Sequence, residues 1–272
     1  MGKGGEIHET PDLTDTLIFV SISKKPPAIT LISLPRDIWI TELRAKLNSA
    51  YFWGKQKEKG GGLILAKSMV EKIVGQPVHY GVVIDFSGFK ELIDVLGGIE
   101  VEIERSFVDE KFPLPGKEND LCQGDPEYKC RYETIEFKKG LEVMDGERAL
   151  KFVRSRNAEG EEGTDLARAA RQEKVVAALK DKLLSSKTLF SLKKLKGIRK
   201  LIAEAVETDI DVNAQAVLSR QVFKARNNLK SYVLPEDLLV NPPKSYLYDN
   251  LYVFIPKKDN WEDVHKWVRS VL

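Results

Sequence analysis

Residues 16–34 read Thr16-Leu17-Ile18-Phe19-Val20-Ser21-Ile22-Ser23-Lys24-Lys25-Pro26-Pro27-Ala28-Ile29-Thr30-Leu31-Ile32-Ser33-Leu34. Two apolar, β-branched runs, Thr16 to Ile22 and Ile29 to Leu34, flank a Lys-Lys-Pro-Pro turn, which is the pattern of two adjacent strands. The open ends of such a hairpin share one edge of a sheet. Asp15, just before the first run, is therefore expected beside Arg36 and Asp37, just after the second. Taken singly, Asp15 reads equally well as a turn-forming carboxylate, and Arg36 with Asp37 as an exposed ion pair.

Outward from this hairpin, strands and helices interleave. Leu63 to Val74 has helical periodicity, with Gly75 after its last turn. Tyr80 to Phe86 is predicted as a strand apolar on both faces, as in a buried sheet. Phe89, Leu92, Ile93 and Leu96 form one helical stripe, ended by Gly97 and Gly98, and Ile99 to Ile103 alternates as a half-exposed strand. A polar loop is expected over 105–131, holding Cys122 and Cys130. Asp145 has the position of a helix N-cap, and Thr164 opens a longer helix to about Leu184. Further helices are expected near Ile198–Val206 and Asn213–Leu229. A strand over Tyr252–Ile255 and a final helix capped by Asp259 or Asn260 complete an α/β pattern. No repeat or boundary interrupts it, so a single domain over 1–272 is expected.

Composition narrows the function. A net charge of +2 on 272 residues argues against general nucleic-acid binding, which calls for a strongly basic face. No apolar run of the length needed to span a membrane is present. The start, Met1-Gly2-Lys3-Gly4-Gly5, has a charge but not the apolar stretch of a signal peptide. Cys122 and Cys130 read either as free thiols or as a local disulfide. Neither has a partner at zinc-ligand spacing.

The stretch from Arg154 to Gln172 carries the chemistry: Arg154-Ser155-Arg156, an acidic glycine-containing loop, then Thr164-Asp165-Leu166-Ala167-Arg168-Ala169-Ala170-Arg171-Gln172. Val176, Leu179 and Leu183 share a helix face, and that stripe runs backwards through Gln172, Arg168 and Asp165. Charge continuing an apolar stripe must be paired or line a cleft. It also lies at a helix N-terminus, where free N–H groups favour an anion. Guanidinium is planar, always charged and able to grip phosphate oxygens in pairs. Arg154, Arg156, Arg168 and Arg171 thus read as a diphosphate grip. The competing reading is a solvated ion-pair network with Glu159, Glu161 and Glu162.

Together with Thr14-Asp15-Thr16-Leu17-Ile18, Ser33-Leu34-Pro35-Arg36-Asp37, Lys46-Leu47-Asn48-Ser49-Ala50-Tyr51, His79-Tyr80-Gly81-Val82-Val83-Ile84-Asp85-Phe86 and Asp145-Gly146-Glu147-Arg148-Ala149-Leu150, this stretch resembles the LytR-CpsA-Psr family. The motifs stand in family order over about 13–184. The resemblance implies a three-layer α/β/α sandwich with a central mixed sheet, located at the extracytoplasmic face of the cell membrane. It implies transfer of a glycopolymer from a polyprenyl-pyrophosphate carrier to a cell-wall acceptor such as peptidoglycan, with Mg²⁺ or Mn²⁺ assisted by the substrate. By motif, Asp15 is a metal ligand, and Arg36, Arg154, Arg156, Arg168 and Gln172 belong to the pyrophosphate and catalytic set, with Arg171 beside them. Asp37 and Asp165 are the candidate proton acceptors, with orienting Arg168 or Arg154 the favoured role for Asp165. The lipid requires an apolar groove, for which Val82, Ile84, Phe89 and Val176 are candidates, with ordinary core the favoured reading of all four. An extracytoplasmic location makes a Cys122–Cys130 disulfide the expectation. The chain departs from the family in two places: the usual first strand ending in a second metal-binding Asp is missing, leaving Glu6, His8, Glu9 or Asp12 as substitutes, and so is the usual transmembrane anchor. Two other functions remain open, a hydrolase of the same pyrophosphate and a non-catalytic glycan- or lipid-binding wall protein.

Overall fold

The structure, a computed structural model, describes residues 2–3 and 13–272, with the backbone alone at 2–3 and at 165–166. It resolves into two compact units. One takes in 13–84 and 206–272 with the short strand Gly2–Lys3, and the other spans 85–205.

The first unit is built on the predicted hairpin. Thr14–Lys24 and Pro27–Leu34 pair antiparallel, Leu17 opposite Leu34 and Phe19 opposite Ile32. They belong to a six-stranded mixed sheet, in which Leu229–Val233 runs parallel to Pro27–Leu34. Leu17, Phe19, Ile32 and Leu34 share one face and form a core with Ile73 and Val74 of the helix Gly61–Val74 and Val264 and Val268 of Glu262–Val271. Every residue from Ala28 to Leu34 is buried, so the other face is covered too. The helix Val212–Ala225 contacts these same two strands. This is α/β/α layering around a mixed sheet, the expected class.

Three expectations are corrected here. A strand does precede Asp15: Gly2–Lys3 pairs antiparallel with Thr14–Lys24. The strand expected over Tyr80–Phe86 is Val82–Asp85, and of its residues only Val83 is buried. It stops early because the Asp85 carboxylate accepts from Gly88 N at 2.7 Å and caps the helix Phe86–Leu96. The strand expected over Tyr252–Ile255 contracts to Ile255–Pro256, paired with Leu239–Val240.

The second unit has its own core of Ile93, Ile99, Val101, Ile103, Phe107, Phe137 and Phe152 among others. Ile99–Ile103 pairs with Gly140–Met144. Asp145 and Thr164 cap the helices Gly146–Arg154 and Asp165–Leu183, accepting from Arg148 N at 2.8 Å and Ala167 N at 3.1 Å. The expected polar loop is corrected most: Phe107–Pro113 is a strand, and it pairs with Tyr132–Phe137. The connection between them carries Cys122 and Cys130, whose sulfurs stand at bonding distance with Cα atoms 5.5 Å apart.

Candidate functional site

Two constellations of charge emerge, one in each unit. In the first, the hairpin register continues past its last pair. Asp15 and Arg36 fall opposite each other, and Arg36 Nη1 donates to Asp15 Oδ1 at 2.6 Å. Arg36 Nε lies 3.4 Å from Asp37 Oδ2, and Lys46 Nζ donates to Asp37 Oδ1 at 2.6 Å. The four residues alternate in sign, and all are partly exposed. Backbone bonds fix the segment that carries them, with Asn48 N donating to Arg36 O at 3.1 Å and Leu47 N to Ile38 O at 2.7 Å. Arg36 Nε is buried and has no hydrogen-bond partner among the described residues, a donor that favours an added acceptor.

In the second unit the helix Asp165–Leu183 turns a different face inward from the one expected. Its buried stripe runs through Arg171 and Val175, with Ala178 and Leu179 packed on the core. Arg168, Gln172 and Val176 are only half-buried. Arg171, 3% exposed, donates through Nε to Phe152 O at 3.0 Å, through Nη2 to Ser155 O at 2.8 Å and through Nη1 to Glu162 O at 2.8 Å and Glu162 Oε2 at 2.9 Å. Its guanidinium also stands 4.9 Å from the Phe107 ring centre. Arg171 as a phosphate ligand is therefore corrected: its donors are engaged inside the protein, and it ties the helix end at 152–155 to the acidic loop. Burial pushes this guanidinium below its usual range. Glu162 opposes that shift, the charge of Arg168 adds to it, and Asp109 opposes it.

Asp109 is the residue that sequence reasoning missed. It is wholly buried, and its Oδ2 accepts from Ser155 Oγ at 2.8 Å and from the backbone N–H groups of Arg156 and Asn157 at 3.1 Å each. Bonds to an ionised acceptor are each worth about 1.5–3 kcal/mol. The Phe107–Pro113 strand thus fixes the turn from which Arg154 and Arg156 project. Close approach closes the loop as well: a Cβ on Gly163 would lie 2.1 Å from Ala158 O. The signal was the single acidic residue at an inward position of Phe107–Pro113, hidden because the segment was read as a loop. Arg154 is half-buried and stands 4.6 Å from the Phe86 ring centre, while Arg156 is exposed. Of the expected partners, Glu162 pairs with Arg171, but as a buried rather than a solvated contact, and Glu161 pairs with Arg105 outside the stretch.

Of the remaining candidates, Asp165 lies at the first helical position, but its side chain is outside the described residues. Glu6, His8, Glu9 and Asp12 are outside them too. Val82 is 43% exposed, whereas Phe89 packs on the second core. Among the described residues the one grouping of three potential metal ligands is Asp120, Cys122 and Cys130, and its sulfurs are placed against each other. Asp15, which accepts from Arg36, offers a hard-oxygen donor. It fits a divalent ion that takes its other oxygens from a phosphate substrate. No helix among the described residues is long and apolar enough to cross a membrane.

This is an α/β protein that fixes a turn of arginines with a buried carboxylate and a buried arginine. The chain belongs to the LytR_cpsA_psr family, which it matches over residues 1–270. It is 29% identical over 268 residues to the polyisoprenyl-teichoic acid–peptidoglycan teichoic acid transferase TagV of Bacillus subtilis, covering 95% of this chain and 60% of that protein. It is also 29% identical over 213 residues to the corresponding transferase TagU of Enterococcus faecalis, covering 77% and 58%. The chain thus spans about three-fifths of the length of these relatives. The crystal structure of B. subtilis TagV superposes with a TM-score of 0.67 at 25% identity, covering 99% of this chain and 94% of that one.

Proposed function

We propose that this chain is the catalytic part of a phosphotransferase that moves a glycopolymer from a polyprenyl-pyrophosphate carrier to a cell-wall acceptor such as peptidoglycan, outside the cytoplasmic membrane. The observation that carries the reading is the buried Asp109–Arg171 support beneath the Arg154–Arg156 turn. Burying two charges to fix the backbone from which further arginines project has a clear use when those arginines must meet a concentrated negative charge. The printed names of the relatives agree with that substrate class.

In this mechanism an acceptor sugar hydroxyl attacks the phosphorus nearest the glycan. A new P–O bond forms, the bond to the bridging oxygen breaks, and polyprenyl phosphate leaves. Arg154, Arg156, Arg168 and Gln172 bind diphosphate oxygens. Arg36 steadies the charge that builds up in the transition state, where fixed cations contribute most. Asp37, held between Arg36 and Lys46, or Asp165 takes the acceptor proton. A divalent ion such as Mg²⁺ or Mn²⁺ would be held by Asp15 and substrate oxygens and would supply further charge neutralisation. The same setting calls for a Cys122–Cys130 disulfide and a membrane anchor.

Incubation with a lipid-linked glycan, with and without acceptor, tests the proposal. Release of polyprenyl phosphate that depends on acceptor is expected. Acceptor-independent release would make the protein a hydrolase, and binding without release would make it a non-catalytic wall protein.

A further inference from the structure

The 85–205 unit carries a second basic feature, separate from the arginine turn. Residues 184–203 contain Lys187, Lys193, Lys196, Arg199 and Lys200, among other residues, and no Asp or Glu. Phe190, between the helices Ser186–Leu189 and Leu192–Ala205, is 88% exposed, and Leu192, the first residue of the second, is 75% exposed. The inner face of the longer helix is fixed by three contacts. Leu201 is buried, Gly197 lies against Val95, and Lys194 Nζ donates to Leu96 O at 2.6 Å. At 3.6 residues per turn the opposite face then presents Leu192, Lys196 and Arg199, flanked by Lys193 and Lys200 on one side and by Leu195 on the other. Among the described residues Lys193, Lys196 and Arg199 form no ion pair, and Lys200 meets only Glu204, at 3.9 Å.

This outward face is apolar and cationic at once. Water suits only its charges, and an apolar protein groove would suit only its leucines. A second copy of the same face would repel it. A surface of anionic lipid headgroups over acyl chains satisfies both demands, because lysines meet phosphates while Phe and Leu enter the boundary beneath. We propose that residues 187–200 are a docking surface for an anionic bilayer, with Phe190 and Leu192 inserted and the basic residues at headgroup level. The inference does not depend on the transferase reading, and its test uses no glycan substrate.

The experiment is co-sedimentation of the full chain with vesicles of phosphatidylcholine alone or enriched in phosphatidylglycerol. Binding to the anionic vesicles that weakens as salt rises is expected. Each basic residue near such a surface strengthens binding by about fivefold, so the double variant Lys193→Gln, Lys196→Gln should bind about 25-fold more weakly. Phe190→Ser should lose about tenfold. Both variants alter exposed side chains, so their melting temperatures should match that of the parent, which separates lost docking from lost folding. Equal binding to both vesicle types, no binding to either, or variants that bind like the parent would overturn the proposal. So would concentration-dependent dimerisation that both substitutions abolish, since the face would then be a contact between copies.

Discussion

Arg168 and Arg171 sit one helical turn apart and differ in burial, the first half-buried and the second 3% exposed. Arg171 holds four acceptors with its guanidinium, three of them backbone oxygens. Arg171→Ala should destabilise the fold by about 3–5 kcal/mol, since breaking a buried charged network leaves its partners unsatisfied. Chemical denaturation checks this. Arg168→Ala should cost less than Arg171→Ala, because Arg168 is only half-buried whereas Arg171 is 3% exposed. It should slow transfer more than tenfold, as should Arg36→Ala and Arg154→Ala, if each removes a charge-assisted contact of about 1.5–3 kcal/mol in the transition state. Unchanged rates in all three would remove the arginines from the reaction. The sequence could not separate the two roles. Residues 175–179 are all apolar, so a stripe through Val176 fits the periodicity as well as one through Val175. Packing decides between them, and the arginine on the inner stripe becomes structural. Asp15 beside Arg36 was legible, because strand register alone places them opposite each other.

At the scale of elements, the hairpin Phe107–Pro113 with Tyr132–Phe137 was hidden by its own irregularity. A register shift between Asp109 and Phe112 breaks the two-residue alternation that announces a strand. The buried inward residue at 109 is a carboxylate rather than a hydrophobe. Caps were more legible, because Asp145 and Thr164 act through local bonds that need no tertiary context. Within the hairpin's connection, thiol titration of the unreduced, denatured protein should find no free thiol at Cys122 or Cys130. Two reactive thiols would refute the bridge. Replacing both by Ser should cost no more than about 2–3 kcal/mol, the value for so short a closed loop. A second junction is sensitive to pH. Asp209 accepts from Lys67 Nζ and from Gly81 N at 2.7 Å, joining the segment after Val206–Thr208 to the approach to Val82–Asp85. Partial burial alone would raise its pKa, but Lys67 and the Gly81 N–H outweigh that and hold the carboxyl below its ordinary value. A depressed carboxylate stabilises the fold above its unfolded pKa and loses that contribution as pH falls through the lower folded value. Asp209→Asn should therefore cost about 1 kcal/mol at neutral pH, and the difference from the parent should shrink as pH falls through the depressed folded value. Melting curves across that range check it.

For the whole molecule, the order of motifs made the family and fold class legible, while the division into units at 85 and 205 left no mark in composition or loop length. The metal depends most on long-range structure, because the candidates for a second ligand, Glu6, His8, Glu9 and Asp12, lie outside the described residues. Among the described residues Asp15 stands without a companion carboxylate in any three-ligand grouping, and Arg36 already donates to its Oδ1. A divalent ion at Asp15 would compete there with the Arg36 guanidinium. Magnesium gives up its waters reluctantly and is commonly bound through one or two carboxylates together with substrate phosphates. Calorimetry should accordingly show weak Mg²⁺ binding to the isolated chain and clearly tighter binding when a pyrophosphate ligand is present. Asp15→Asn should abolish the gain from pyrophosphate while leaving the fold intact, since the residue is partly exposed. Tight binding without pyrophosphate would show that another carboxylate completes the site, and Glu6, Glu9 and Asp12 would be the first to substitute. Full transfer activity in excess chelator would leave the neutralisation of charge to Arg36, Arg154, Arg156 and Arg168 alone.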